Sequence, residues 1–250
     1  MKPARCGHCV GAQGRVRAIA FDLFHTLVDP EDFRPKQFVR ARAIAALLGI
    51  PSREFEEAWN AGVRDRMTAR IPSVTDRVRR YCSSRGISPP DSAWPVVTDI
   101  LGRHADLAIR NPRKSVLETL RILKERGFVL GLVSNCDERE VWAWSGSEIA
   151  PLFDATVFSC DVGFAKPSAE AYRALIPRWG GILLSKAIFV GDGSNNELAG
   201  ARAAGFSQVI FDSEFVAYNG LRTAEANERL RKDADGTIGR LSELASLLPS

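Results

Sequence analysis

Short apolar runs recur along the chain, and each is followed by a polar residue or a glycine. Runs of about four to seven apolar residues that end in this way predict buried strands. The predicted strands are Arg17–Phe21, Phe128–Val133, Ala155–Phe158, Ala187–Val190 and Gln208–Phe211.

Amphipathic segments precede each of the last four apolar runs. Their apolar side chains return every three or four positions, which is the period of a helix with one buried face. The predicted helices are 115–126, 137–147, 167–178 and 196–204. Strands that alternate with helices through short connections are typical of βαβ units. We therefore predict an α/β fold with a doubly wound parallel sheet, built from residues 17–28 and 111–250.

The segment between the first two strands, residues 29–110, has a different pattern. Apolar residues recur near helical spacing, Pro51 and Ser52 precede a group of glutamates, and Pro and Gly interrupt the pattern. These features predict several short helices, which form a helical insert after the first strand. Residues 1–16, rich in Gly and Arg, are predicted to be a flexible tail. Segment 221–250 is predicted to be a charged helix whose leucine stripe packs on the core or forms a homodimer contact.

Composition narrows the class of protein. The 250 residues are 45% hydrophobic and 26% charged, which is typical of a folded globular chain. The net charge of +4 comes from basic residues spread along the sequence, so we predict no nucleic-acid partner. No apolar run approaches the roughly 18 residues of a membrane span. Five scattered cysteines and the lack of a secretory pattern favour a reducing compartment. We therefore expect a cytoplasmic protein that acts on a small anionic molecule.

Polar side chains follow several predicted strands at the points where the strands end. Asp22 follows the first strand, Ser134 and Asn135 follow the second, and Asp192 follows the fourth, while Lys166 precedes a predicted helix start. Ligands of parallel α/β sheets bind at this edge. A buried carboxylate needs compensating cations or amides. Two carboxylates, a hydroxyl and a lysine suit a divalent cation together with an oxyanion, and a carboxylate can also be a covalent nucleophile.

Four segments that carry these residues resemble the motifs of the haloacid dehalogenase-like (HAD) superfamily in the same order, and the resemblance covers roughly residues 17–211. It places the insert 29–110 where the family carries its C1 cap. The matching segments are Phe21–Leu27, Val133–Asn135, Ala165–Tyr172 and Val190–Gly205.

The resemblance also implies a role for each residue. Asp22 would be the nucleophile, Ser134 and the amide of Asn135 would hold the transferred group, and Lys166 would neutralise charge. Mg²⁺ would be held by Asp22, by Asp192 and by the backbone carbonyl at position 24. Asn196 or Glu197 would help to hold the ion, directly or through water.

Phe24 departs from this pattern. The phosphatases of the family carry a second Asp two residues after the nucleophile, which protonates the leaving alkoxide and later activates water. Phe24 can do neither, and a missing general acid–base is typically worth about 10²–10⁴-fold. We therefore expect poor turnover of ordinary alkyl phosphates.

Several interpretations fit this departure. The family's haloacid dehalogenases have an aromatic residue at this position and use no metal, whereas Gly191 to Gly193 resemble the metal-dependent branch. A Mg²⁺-dependent phosphatase or phosphonatase-like enzyme could act on a leaving group that needs no proton, or take an acid from elsewhere. His25 is the nearest candidate, with an ordinary pKa of about 6.5.

Our main prediction is a HAD-like hydrolase that uses Asp22 on such a substrate, with phosphorus or carbon as the attacked atom. The alternatives are a non-hydrolytic biosynthetic enzyme that expels phosphate, sulfate or halide, and a non-catalytic binding module.

The cap is expected to choose the substrate. Arg66 and Arg70 lie four residues apart, so a helix would place them on one face. They are candidate ligands for a substrate carboxylate or sulfate, or part of a solvated basic face. Phe24 and Asn135 are the remaining predicted substrate contacts.

Overall fold

The molecule is built on one parallel sheet. A computed structural model describes residues 16–68, 73–220 and 222–248. Within them, six strands pair in the order β3-β2-β1-β4-β5-β6, and every pairing is parallel. This confirms the predicted α/β fold. The strands are β1 Ala18–Phe21, β2 Val129–Ser134, β3 Ala155–Phe158, β4 Ala187–Gly191, β5 Gln208–Asp212 and β6 Gly236–Ile238.

Helices cover both faces of the sheet. The core helices are α6 Lys114–Glu125, α7 Ser159–Val162, α8 Ala169–Arg173, α9 Leu175–Arg178, α10 Glu197–Ala204, α11 Glu214–Asn219, α12 Ala224–Asp233 and α13 Leu244–Leu247. Successive residues of a strand point to opposite faces. Ile19 and Phe21 therefore pack with α6 on one face, whereas Ala18 and Ala20 pack with α8 to α10 on the other. A sheet buried on both faces explains why the strands read as apolar runs.

The described part of the segment between β1 and β2 contains five α-helices. Its helices are α1 Arg40–Leu48, α2 Ser52–Ala61, α3 Val63–Met67, α4 Val74–Ser84 and α5 Ala93–Arg110. These helices enclose an apolar cluster of their own, which includes Ile44, Phe55, Trp59, Val78 and Leu101. We call α1 to α5 the cap from here on.

Two element predictions were wrong. Residues 137–147, predicted as a helix, form turns and a short 3-10 helix at Trp144–Gly146. The side chains of Asp137 and Glu140 bond to the cap and to backbone amides within the turn, and such local bonds compete with a regular helix. The predicted C-terminal helix is divided into α12, the short strand β6 and α13.

The leucine stripe of the C-terminal segment packs on the core. Leu241, Leu244 and Leu248 are buried in the apolar cluster that contains α6, while Leu247 is exposed. Core packing, the first of the two predicted uses of this stripe, accounts for the three buried leucines. Among the described residues, no helix combines the length and the apolar character needed to cross a membrane.

The strand order reverses direction beside β1. The chain moves outward through β2 and β3 on one side of β1, and through β4, β5 and β6 on the other. A crevice forms at the carboxyl ends of the strands where such a reversal occurs, and ligands of open α/β sheets bind there. Asp22 and Asp192 follow the two strands that border this point.

Candidate active site

Asp22 lies at the centre of a buried ionic cluster. Its amide donates to the carbonyl of Val190 at 2.9 Å, which fixes the residue between β1 and β4. Lys166 Nζ donates to Asp22 Oδ1 and, at 2.5 Å, to Glu197 Oε2. Thr26 Oγ1 donates to the other oxygen of Asp22 at 3.3 Å. All four of these polar side chains are buried.

Burial and charge set the protonation of this cluster. Burial raises the pKa of Asp22, and Lys166 opposes that shift without reversing it. Burial raises the pKa of Glu197 well above its usual range, and the charge of Asp22 adds to the effect. Burial alone would lower the pKa of Lys166, but Asp22 and Glu197 outweigh it and raise the pKa. Lys166 is therefore a permanent cation between two carboxyl groups.

The side chain of Asn135 holds Lys166 in place. Asn135 Nδ2 donates to the carbonyl of Lys166 at 2.8 Å, and the amide of Lys166 donates to Asn135 Oδ1 at 2.7 Å. Tyr172 supports the other partner, because its hydroxyl donates to the carbonyl of Glu197 at 2.7 Å. Lys166 thereby connects the end of β2 with the end of β1 and with the start of α10.

Ser134 has an unsatisfied hydroxyl. The residue is almost completely buried, and its Oγ has no hydrogen-bond partner among the described residues. Leaving such a group unpaired costs free energy. The hydroxyl is therefore available to a bound anion, as its position at the end of β2 suggests.

Three carboxylates lie close enough to hold a metal ion. Ligand oxygens of Asp22, Asp192 and Glu197 are all within 4.8 Å of one another, and all three residues are buried. Asp192 Oδ1 accepts from the amide of Ser194 at 3.0 Å, and Oδ2 accepts from Arg222 Nη2 at 2.7 Å. Buried oxygen ligands suit a hard divalent cation. Of the two predicted helpers, Glu197 belongs to this cluster, whereas the side chain of Asn196 is exposed.

Phe24 and His25 begin the loop that connects β1 to the cap. Phe24 is partly buried against the core, and His25 has a left-handed backbone with φ of 63°. His25 Nδ1 and Asp29 Oδ1 are 3.0 Å apart, and Asn219 Nδ2 donates to the other oxygen of Asp29. Burial lowers the pKa of His25, but the hydrogen bond and charge of Asp29 outweigh it, so the pKa is raised. Asp29 thus fixes the orientation of the imidazole.

A cavity of about 210 Å³ opens beside this cluster. The sheet edge and the cap both contribute to it. The lining residues are Asp22, Phe24, His25, Pro30, Arg34, Arg40, Met67, Ala105, Asn135, Glu140, Lys166, Ser194, Asn195 and Glu197.

The two cap arginines predicted as substrate ligands have different outcomes. Arg66 is buried, its Nη1 donates to Asp137 Oδ2 at 2.8 Å, and its guanidinium lies 4.4 Å from the ring centre of Trp59. It is not among the residues that line the cavity. Its charge is used inside the protein, so the predicted contact with substrate lacks support. Arg70 lies outside the described residues.

Sequence reasoning missed several residues of the site. Thr26, Asp29, Glu140 and Arg222 all contact the predicted residues or line the cavity. Thr26 and Asp29 lie four and seven residues after Asp22, so closer attention to the first loop could have found them. No local signal marks Arg222, which lies 30 residues after Asp192.

Comparisons with known proteins place the chain in a family. A family model described as haloacid dehalogenase-like hydrolase matches residues 16–205. The chain is 26% identical over 237 residues to a glyceraldehyde 3-phosphate phosphatase of Methanothermobacter thermautotrophicus, covering 93% of this chain and all of the relative.

Two solved structures share the fold. A HAD hydrolase from Bacillus subtilis bound to magnesium has a TM-score of 0.59 and 17% identity, covering 94% of this chain and 99% of the other. A 2-haloacid dehalogenase from Pseudomonas syringae pv. Tomato also has a TM-score of 0.59, with 22% identity, covering 93% of this chain and 97% of the other. At these identities the likeness concerns the fold alone.

Proposed function

The chain belongs to the haloacid dehalogenase-like hydrolases, and we propose that it is a Mg²⁺-dependent phosphohydrolase that uses Asp22 as nucleophile on a small phosphate ester. The hydrolase class follows from the family. The relative aligned along its whole length is a phosphatase. The non-hydrolytic and non-catalytic alternatives are not favoured by these relatives.

The observation that carries the proposal is the group of three buried carboxylates. Asp22, Asp192 and Glu197 bring up to three negative charges together, and Lys166 and Arg222 supply two cations. A divalent cation would compensate the excess, and these oxygens with the carbonyl of Phe24 would hold it. Bound there, Mg²⁺ would stabilise charge on the phosphoryl oxygens. A dehalogenase, which uses no metal, has no need for this arrangement.

The residues of the cluster suit two successive steps. In the first, an oxygen of Asp22 forms a bond to phosphorus while the ester P–O bond breaks, and the leaving oxygen keeps the electron pair. In the second, water cleaves the aspartyl phosphate, which releases phosphate and restores the carboxylate. Lys166 orients Asp22, and the hydroxyl of Ser134 with the amide of Asn135 would bind the phosphoryl oxygens.

The leaving group is restricted by Phe24. A phenolate, an enolate or an acyl group departs without a proton, so with such substrates the missing aspartate does not slow departure of the leaving group, and only its role in activating water is lost. For a more basic leaving group, His25 is the proposed acid. Its ring lines the cavity and is oriented by Asp29.

Haloacid dehalogenation is the second candidate, and Phe24 is the observation that favours it. Halide leaves as an anion, so an aromatic residue is compatible with attack of Asp22 on carbon. The choice between phosphorus and carbon is the main question for experiment.

The deciding experiment is a turnover assay of the purified protein with an activated aryl phosphate, with Mg²⁺ and with EDTA. We expect turnover that needs Mg²⁺ and is abolished in Asp22→Asn. Asp91→Asn, at an exposed cap position, is the matched control and should keep full activity. Halide release from 2-chloropropionate, without phosphate release in any condition, would contradict the proposal and establish the second candidate.

A further inference from the structure

The turn that follows the anion-binding end of β2 is bonded to the cap by four successive residues. We call residues 137–140 the clasp. Asp137 pairs with Arg66 at 2.8 Å, and Glu140 pairs with Arg40 at 2.9 Å. Arg139 binds Asp106 of α5 at 2.6 Å, and Glu138 Oε1 accepts from the amide of Val74 at 2.6 Å. Every side chain of the clasp therefore contacts a helix of the cap.

The two carboxylates of the clasp divide their oxygens between two tasks. Asp137 Oδ1 accepts from the amides of Arg139 and Glu140 at 3.1 and 3.0 Å, while Oδ2 binds Arg66. Glu140 Oε2 accepts from the amide of Asp137 at 3.1 Å, while Oε1 binds Arg40. These reciprocal bonds have the pattern of a capping box, but here they close a turn that no α-helix continues. One oxygen of each residue shapes the turn, and the other reaches a cap arginine.

The clasp is close to the chemistry. It begins three residues after Ser134 and two after Asn135, whose side chain holds Lys166. Arg40 and Glu140 line the same cavity as Asp22. A change in the clasp is therefore transmitted through two peptide units to the groups proposed to bind the phosphoryl oxygens.

We infer that Arg40 and Arg66 are positioning residues, which act through the clasp to hold Ser134 and Asn135 in register with Asp22 when the cap is in place. The catalytic consequence of this inference rests on the proposed function, whereas the contacts of the clasp are independent of it. It gives the cap a role in assembling the anion site as well as in covering it.

Arg66 is the more informative of the two arginines. It is buried, it stacks on Trp59 inside the cap, and it does not line the cavity. A buried ion pair adds little net stability, yet removal of one partner leaves an uncompensated charge. Loss of Arg66 should therefore disturb the clasp without removing a substrate contact. A misplacement of about 1 Å can cost about 10²-fold in rate.

The test compares Arg66→Met with Arg66→Lys and with the control Arg85→Met. Arg85 pairs with Glu54 at 2.9 Å in an exposed bridge within the cap, so its loss removes the same kind of charge away from the clasp. Three quantities are measured in the intact protein: kcat and KM for an aryl phosphate, the inhibition constant of inorganic phosphate, and amide hydrogen exchange of residues 133–140.

We expect Arg66→Met to lower kcat by about tenfold or more, to weaken inhibition by phosphate, and to speed exchange in 133–140. Arg66→Lys should restore part of each effect, and Arg85→Met should match the wild type. Asp137→Asn combined with Arg66→Met removes both charges, so it guards against misfolding of the single variant. The fold-loss of kcat in this double variant should be smaller than the product of the fold-losses in Arg66→Met and Asp137→Asn.

Two results would overturn the inference. The first is a folded Arg66→Met variant with wild-type kcat, phosphate inhibition and exchange. The second is independent, multiplicative effects of Asp137→Asn and Arg66→Met. Failure of the proposed function looks different, because the wild type would then turn over no phosphate ester. Exchange of residues 133–140 would still report whether Arg66 holds the clasp.

Discussion

Phe24 is the residue that most narrows the chemistry of this site. It stands two positions after Asp22 and lines the cavity. The phosphatases of the family carry an aspartate at this position. The phenyl ring of Phe24, which packs partly against the core, has no acidic group, so it cannot donate a proton to a leaving alkoxide. The consequence is selective: substrates with good leaving groups should be affected least.

Restoring the acid should reverse this selectivity. In Phe24→Asp we expect the ratio of kcat/KM for an alkyl phosphate to that for an aryl phosphate to rise by about 10²-fold. The physical reason is that only the alkoxide needs protonation as it leaves. Phe24→Asn is the matched control, since asparagine has the shape of aspartate but no carboxyl proton to transfer. An unchanged ratio in Phe24→Asp, or an equal rise in both variants, would contradict the assignment.

At the scale of elements, helix α10 determines where Lys166 lies. A Cβ at Gly200 would lie 2.6 Å from Cβ of Pro167 and 2.8 Å from its carbonyl oxygen. Glycine therefore allows α10 to contact the backbone that follows Lys166. Glu197, one turn earlier on α10, receives the ammonium group of that lysine. The close contact of Gly200 with Pro167 therefore places Glu197 within hydrogen-bonding distance of Lys166.

A methyl group at Gly200 should separate these elements. We expect Gly200→Ala to lower the free energy of unfolding by about 1–3 kcal/mol, as overpacking usually does. It should also lower kcat, because Lys166 moves relative to Asp22. The measurements are urea denaturation and aryl phosphate turnover.

Gly146→Ala is the matched control for this test, since a Cβ there would meet no atom within 4 Å. Equal behaviour of the two alanine variants would show that the contact with Pro167 does not position Lys166.

At the scale of the whole molecule, the sheet gathers acidic groups at one edge. Asp22, Asp192 and Asp212 lie at the carboxyl ends of β1, β4 and β5, and all are buried. Asp212 Oδ1 accepts from the amide of Glu214 at 2.9 Å, while Oδ2 has no partner among the described residues. Burial raises the pKa of Asp212 to about 8. This carboxyl group is therefore protonated in the folded protein at neutral pH.

The protonation of Asp212 should make global stability depend on pH. An unfolded Asp has a pKa of about 3.9, so between pH 4 and 8 the folded state binds a proton that the unfolded state has lost. The contribution is fully present below about pH 4, falls as pH rises to about 8, and is constant above that value.

Asp212→Asn should remove this slope, so its stability relative to the wild type should increase from pH 5 to pH 9 by a few kcal/mol at most. Urea denaturation midpoints at pH 5, 7 and 9 measure it, with Asp91→Asn as the control for loss of one charge. A stability difference that is the same at all three pH values would contradict the shifted pKa.

The sequence predicted the local features of the fold well. Apolar runs predicted β1 to β5, because a strand buried on both faces leaves no polar position within the run. It missed β6, which has three residues and only one of them buried. It predicted a helix over 137–147, where the structure has turns whose side chains bond to backbone amides and to the cap arginines.

The site divides in the same way. Asp22, Ser134, Lys166 and Asp192 could be found from sequence, because each adjoins a strand end or a helix start that the local pattern predicts. The tertiary structure alone decided which distant groups meet them, namely Arg222 at Asp192, Asn219 at Asp29 and Arg66 at Asp137. Periodicity encodes which face of an element is buried. The choice among 34 lysines and arginines is made by the packing of elements far apart in the chain, which no local pattern records.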